Sequence, residues 1–258
     1  MSLNGKKVFI TGGSGGIGRP LVNLLQQAGA EVSGFDRSRE GSLTENLDCV
    51  CAGLLQETPD ILINMAGINS FAYCEEQPYE DLIDLNLLAP MRLTQSVLPG
   101  MKSRGQGQIV TIGSMAALIP LPHLTGYVAT KAGLKGFSDA LRRELSGTAI
   151  VVTHIVPRAV KTEMNTGKLA EVNQRTDTHH DDPETIAMAI FSAIIKVKKE
   201  VRIGWPERLF AFLQANIPTM VDRGLQKNRR IGEEILSHEK YGKDHKSEKN
   251  IDHCHSVS

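Results

Sequence analysis

Short apolar runs alternate with amphipathic stretches along most of this chain. Lys6 to Ile10, Ala30 to Phe35, Asn46 to Cys51, Ile61 to Ala66, Gln108 to Gly113, Ala149 to Val156 and Glu200 to Gly204 read as strands, being brief, rich in Val and Ile, and bounded by turn formers. Between them lie helical patterns such as Arg19 to Ala28 and Tyr79 to Met101. Strands that alternate with helices predict a parallel α/β sheet covered on both faces. No internal repeat or mid-chain linker interrupts the pattern, so residues 1–237 are expected to form one domain. From His238 onward the chain is charged and poor in large apolar residues, which predicts a disordered tail over 238–258.

Composition narrows the function classes. Of 258 residues, 41% are hydrophobic, enough for a substantial core, and 29 basic residues balance 29 acidic ones. A net charge of zero provides no global field to recruit nucleic acid or an anionic membrane. Cys49, Cys51, Cys74 and Cys254 lack metal-ligand spacing, and the first two fall on an expected buried strand as small apolar residues. With no apolar leader and no uninterrupted membrane-length run, the expectation is a soluble, cytoplasmic protein.

The first chemical signal is the strand Lys7 to Ile10, which runs into Thr11-Gly-Gly-Ser-Gly-Gly-Ile-Gly18 and then a helix. Glycines at Gly12, Gly16 and Gly18, with Ser14 and Ile17 between them, let a backbone approach a pyrophosphate. The following helix start offers it N–H groups. The second apolar run ends in Asp36, 18 residues beyond Gly18, where a carboxylate can bind both hydroxyls of an adenosine ribose and repel a 2′-phosphate. NAD is therefore expected over NADP, with the adjacent Arg37 as a partial counterweight.

A second signal lies mid-chain. Ser114 follows an apolar run, and Tyr127 and Lys131 stand four apart, on one helix face. An ammonium beside a phenol favours the phenolate, making tyrosine a usable acid and base, while a serine hydroxyl positions a carbonyl or alcohol oxygen. Taken in order, the glycine turn, Asn64-Met-Ala-Gly67, Asn86, Ser114, and Tyr127 with Lys131 resemble the short-chain dehydrogenase/reductase family over about residues 5 to 205.

The resemblance implies a doubly wound Rossmann-type fold with a seven-stranded parallel sheet, NAD(P) across its carboxyl ends, and a catalytic tetrad of Asn86, Ser114, Tyr127 and Lys131. It further implies that Asp48 contacts adenine, that Asn64, Ala66 and Gly67 line the adenosine side, and that Pro157 and Thr162 lie near the nicotinamide. Lys131 would also hold the nicotinamide ribose, and Asn86 would anchor a relay water. Homodimers or homotetramers are the usual assemblies. Pro90, four residues after Asn86, has no N–H for the Asn86 carbonyl and is expected to kink the helix there, leaving that carbonyl to a water shared with Lys131.

Three departures bear on the transfer. The span between Asp48 and Asn64 is short, so its crossover helix is expected to be truncated. Arg158 stands where the family has glycine, pointing to solvent or to an acidic substrate group. Gly113 precedes Ser114 where the family often has another serine.

Glu163 to Asp182 reads as a polar lid, in which His179 and His180 lack the company a metal needs, so no metal is expected. Met115 to Leu124 forms an apolar wall beside the reaction centre, suited to an apolar substrate or to packing on a lid or subunit. Residues 206–217 form a helix with Leu209, Leu213 and Ile217 on one stripe that must be covered. A substrate pocket, a second subunit or a membrane surface would serve, and the lack of a strong basic face ranks the membrane last. The reading is an NAD-preferring oxidoreductase that interconverts a secondary alcohol and a ketone. The alternatives are an NADP-linked 3-oxoacyl-thioester reductase, or a noncatalytic nucleotide-sensing protein on the same fold.

Overall fold

The computed structural model describes residues 1–237; the expected disordered tail lies outside them. Six parallel strands form one sheet: β1 (Lys7–Thr11), β2 (Glu31–Phe35), β3 (Ile61–Asn64), β4 (Gly107–Ile112), β5 (Ile150–Val156) and β6 (Glu200–Arg202), in the order β2-β1-β3-β4-β5-β6. The reversal of direction on either side of β1 and β3 opens a crevice at the carboxyl ends of these two strands, where doubly wound sheets bind ligands.

Side chains of period two feed two cores. Ile61, Ile63, Val110 and Ile112 point to one face, against Leu21 and Leu25 of α1 (Gly18–Gln27) and a later helix carrying Ile186, Ile190 and Ile194. Leu62 and Ile109 point to the other, against Leu93, Val97 and Met101 and against Leu141. Strands buried on both faces have no polar alternation, which is why they read as plain apolar runs.

The expected strand Asn46 to Cys51 is instead helical. After a short turn of helix α2 (Arg37–Glu40), residues Leu47–Gln56 form α3, with Leu47, Cys51 and Leu54 buried at helical spacing. The crossover helix is therefore complete and the strand before it is missing, leaving six strands and making β2 the sheet edge. Cys49 faces solvent, and only Cys51 behaves as the small apolar residue expected of both.

Beyond β3 come α4 (Tyr79–Ile83), a π-helical turn (Asp84–Leu88) and α5 (Ala89–Arg104), then α6 (Thr125–Glu144) after β4. Where a kink is expected in the Tyr79 to Met101 helix, the structure has this π turn, in which the Ala89 N–H reaches the Asp84 carbonyl. Pro90 follows as the second residue of α5. The remaining helices are α7 (Gly167–Arg175), α8 (Pro183–Ile195), α9 (Trp205–Asn216) and α10 (Pro218–Gly224), followed by a helix over 226–237. That last helix packs Ile231 and Ile235 on Val172 of α7 and on Phe71.

Candidate active site

A cavity of about 1110 Å³ follows the carboxyl ends of the central strands, from Gly12 to Gly18 at one end to Ser114, Tyr127 and Lys131 at the other. The turn after β1 is shaped by glycine at two places in particular. Gly12 has φ of +76°, and a Cβ there would stand 2.9 Å from the Ala66 nitrogen; a Cβ on Gly18 would collide with the Gly12 carbonyl. Thr11 ties the two cavity walls together, its hydroxyl accepting hydrogen bonds from the N–H groups of Met65 and Ala66, both at 3.2 Å. Ser14, Gly16, Ile17, Ala66, Gly67, Pro157 and Thr162 all line the same space. A long cavity opening on a turn too tight for a Cβ at Gly12 and Gly18 fits an extended dinucleotide.

The acidic residues expected at the adenosine end are arranged differently. Asp36 follows β2 and accepts a hydrogen bond of 2.9 Å from the Ser14 hydroxyl, while its neighbour Arg37 lines the cavity. Asp48 lies away from the cavity, in the first turn of α3, ion-paired with Arg92 at 2.8 Å. With the preceding strand absent, Asp48 has no strand end to occupy, and Ser42, Leu43 and Thr44 line the cavity there instead. Asn64 is buried behind the wall, donating to the Thr94 hydroxyl at 3.3 Å.

At the other end, α6 presents Tyr127 and Lys131 one turn apart, and the end of β4 delivers Ser114. Ser114 accepts the Ala116 N–H at 3.1 Å, and its hydroxyl lies near enough to the Tyr127 phenol to favour the phenolate. The fully buried Asn86 in the π turn clamps the loop after β3. Its Oδ1 accepts from the Ile68 N–H at 2.9 Å, and its Nδ2 donates to the Ile68 carbonyl at 2.8 Å and to the Thr130 hydroxyl at 3.2 Å. A Cβ on Gly67 would lie 2.9 Å from Asn86 Oδ1 and 3.5 Å from Lys131 Nζ, so all four expected residues converge on one region.

The electrostatics differ from the sequence expectation. Lys131 Nζ donates to the Ile112 carbonyl at 3.0 Å and lies 5.8 Å from the Tyr127 ring centroid. Burial lowers its pKa to about 8. Tyr127 keeps some contact with the cavity, yet desolvation of its hydroxyl pushes its pKa up, outweighing the opposing influence of the nearby Ser114 hydroxyl. In this arrangement the ammonium is spent on a carbonyl and does not hold the phenol down.

Arg158 points neither to solvent nor to an open anion site. It binds Asp181 bidentately at 2.7 Å through Nε and Nη2 and reaches Glu207 at 3.4 Å, joining the end of β5 to the segment before α8 and to α9. The guanidinium raises its own basicity on Asp181 and holds that carboxyl below its usual range. Gly113 also has a reason. A Cβ there would stand 2.5 Å from Nε2 of His154, a buried histidine on β5 that fills the space a larger residue would need. Sequence reasoning missed His154, Thr11 and the Asp181 partner, since each acts through a neighbour distant in the chain.

The expected polar lid holds a short 3₁₀ turn (Glu163–Asn165) and α7, which buries Leu169, Val172 and Asn173. His179 lines the cavity, whereas His180 turns to Asn173 at 3.2 Å. Met115, Ala116, Ile119, Leu121 and Leu124 supply the apolar wall foreseen beside the reaction centre.

Known proteins resemble this chain in sequence and in fold. A family model described as short chain dehydrogenase matches residues 56–173. The chain is 30% identical over 221 residues to the 3-oxoacyl-acyl-carrier-protein reductase FabG of Vibrio cholerae, covering 74% of this chain and 90% of that protein. It is 32% identical over 235 residues to the ketoacyl reductase HetN of a Nostoc species, covering 78% and 79%. Among solved structures, a short chain dehydrogenase from Burkholderia cenocepacia in complex with NADP superposes with a TM-score of 0.73 at 20% identity, over 88% of this chain and 99% of that one. At that identity the likeness is one of fold.

Proposed function

This chain belongs to the short-chain dehydrogenase/reductase family, and from that premise we propose how its own residues carry the chemistry. It is an NAD(P)-dependent oxidoreductase that interconverts a secondary alcohol and a ketone. The observation that carries the assignment of roles is the convergence of Ser114, Tyr127 and Lys131 at one end of a cavity whose other end is the glycine turn.

Gly12, Ser14, Gly16, Ile17 and Gly18 would hold the pyrophosphate, Ala66 and Gly67 the adenosine side, and Pro157 and Thr162 the nicotinamide side. A bound dinucleotide supplies the hydride donor or acceptor. Ser114 fixes the substrate oxygen, and the Tyr127 hydroxyl gives that oxygen a proton in reduction and takes one in oxidation. Desolvation keeps Tyr127 protonated, which suits it as the acid for ketone reduction. A Lys131 with pKa near 8 exchanges protons at neutral pH and can return one to the phenolate. Asn86 holds the loop over Gly67 and, with Pro90 offering no N–H, leaves a carbonyl for a relay water.

The preferred cofactor in this reading is NAD, supported by the Asp36 carboxylate beside Ser14 at the end of the edge strand. Arg37 is the base that would favour a 2′-phosphate instead. The apolar wall from Met115 to Leu124 supports a small or medium apolar alcohol or ketone. A 3-oxoacyl thioester is the second reading, favoured by the names of the Vibrio and Nostoc relatives. A cytoplasmic homodimer or homotetramer completes the proposal. The test is a panel of apolar ketones and 3-oxoacyl thioesters with NADH and NADPH, followed by absorbance. Faster turnover of apolar ketones with NADH supports the first reading, and turnover confined to thioesters with NADPH supports the second. No turnover of any substrate by a cofactor-binding protein would leave the noncatalytic alternative.

A further inference from the structure

Helix α9 is built inside out. Ala211 is buried, whereas Leu209, Phe210 and Phe212 are 52%, 50% and 62% exposed. At about 100° per residue, these three and Leu213 span an arc centred opposite Ala211, so the large apolar side chains all point away from the protein. Ile217 and Met220, 49% and 56% exposed, carry the surface into α10, which packs against α9. Single exposed apolar residues are ordinary, but five on one connected pair of helices form a patch that needs a partner.

The cations that follow the patch along the chain identify its chemistry. Arg223 lies three residues after Met220, on the same face of α10, and Lys227 and Arg230 follow in the next helix. The nearby carboxylates Glu233 and Glu234 are taken by Arg229 and Arg175. Arg223, Lys227 and Arg230 have no ion-pair partner among the described residues, and Asp222 is the local acid left to oppose them. This local excess is invisible in a chain whose total charge is zero, and it reverses the ranking that composition suggested. A second copy packed face to face would bring its own unpaired cations against these, which disfavours self-association at this surface. An anionic bilayer accepts both parts, taking aromatic and aliphatic side chains below the headgroups and cations among them. Glu207, on the inward face of α9, and Asn228 line the cavity.

We propose that α9 and α10 dock this protein on an anionic lipid surface, with Leu209, Phe210, Phe212, Ile217 and Met220 inserted and Arg223, Lys227 and Arg230 at the headgroups. The experiment is co-sedimentation of the full chain with phosphatidylcholine vesicles, with and without phosphatidylglycerol. Binding should be on the order of tenfold tighter on the anionic vesicles and weaken with salt, as expected of a few surface cations. A Leu209→Ser, Phe210→Ser, Phe212→Ser variant should lose binding to both, and an Arg223→Gln, Lys227→Gln, Arg230→Gln variant should lose the anionic preference. These positions are exposed, and unchanged NAD binding and circular dichroism would confirm that the variants fold. Failure of the native protein to bind either vesicle, or equal binding by the serine variant, overturns the proposal. Light scattering supplies the other refutation: an oligomer that the serine substitutions dissociate would make this face a subunit interface.

Discussion

One part of the acid destabilisation of this protein should come from His154, by an amount the structure bounds. The ring is 2% exposed on β5, with Nδ1 2.8 Å from the Thr111 hydroxyl, which in turn meets Ser138 at 2.8 Å. Nε2 has no partner. Burial lowers its pKa from 6.5 to about 4, helped by Lys135 and opposed by Glu200 and Asp139. Between those two values the unfolded chain binds a proton that the native protein refuses, so stability falls as pH drops from about 6.5 to about 4 and levels off below. The gap corresponds to about 3 kcal/mol lost by pH 4. Carboxylates such as Asp60, Asp139 and Asp181, whose pKa values are lowered, also lose stability in acid. His154→Asn separates the effects, because its amide reaches the Thr111 hydroxyl without titrating. Urea unfolding of both proteins from about pH 7 to about pH 4 should give curves that diverge by about 3 kcal/mol, the native protein declining more steeply. Parallel curves would refute the claim that His154 is buried and neutral.

Three further outcomes follow from the site. Calorimetric titration should find NAD(H) binding tighter than NADP(H); equal or reversed affinities would assign the ribose site to Arg37 rather than Asp36. Gly18→Ala places a methyl against the Gly12 carbonyl and should weaken dinucleotide binding by at least about tenfold, or about 1.4 kcal/mol, a loss the same titration reads directly. In Pro90→Ala a new N–H competes for the Asn86 carbonyl, so the pH–rate profile should change while NAD affinity stays constant; an unchanged profile would make the π turn a packing feature.

The glycine turn, Ser114, Tyr127 and Lys131 were legible because each depends on residues close in sequence or on a fixed helical spacing. The sheet was nearly so. Leu47-Asp-Cys-Val-Cys51 reads as a strand when seen alone, and only the recurrence at Leu54 reveals the helix. With the strand gone, the role of Asp48 went with it. Pro90 signalled a distortion correctly, but the chain relieved it by widening the preceding turn. Arg158 and Gly113 could not be interpreted locally, since their partners Asp181 and His154 lie more than twenty residues away. The stripe on α9 was seen in sequence, though its exposure required the fold, because periodicity gives a face and not what covers it.

The central claim is that Tyr127 moves the proton at a site joined to a dinucleotide cleft. Replacing it with phenylalanine keeps the ring and removes only the hydroxyl. Titrating NADH into Tyr127→Phe and following its oxidation with a ketone turned over by the native protein tests the claim directly. Affinity for NADH within a factor of about three of native, together with turnover reduced by at least about a hundredfold, is the predicted result. Turnover close to native with the hydroxyl gone would contradict it.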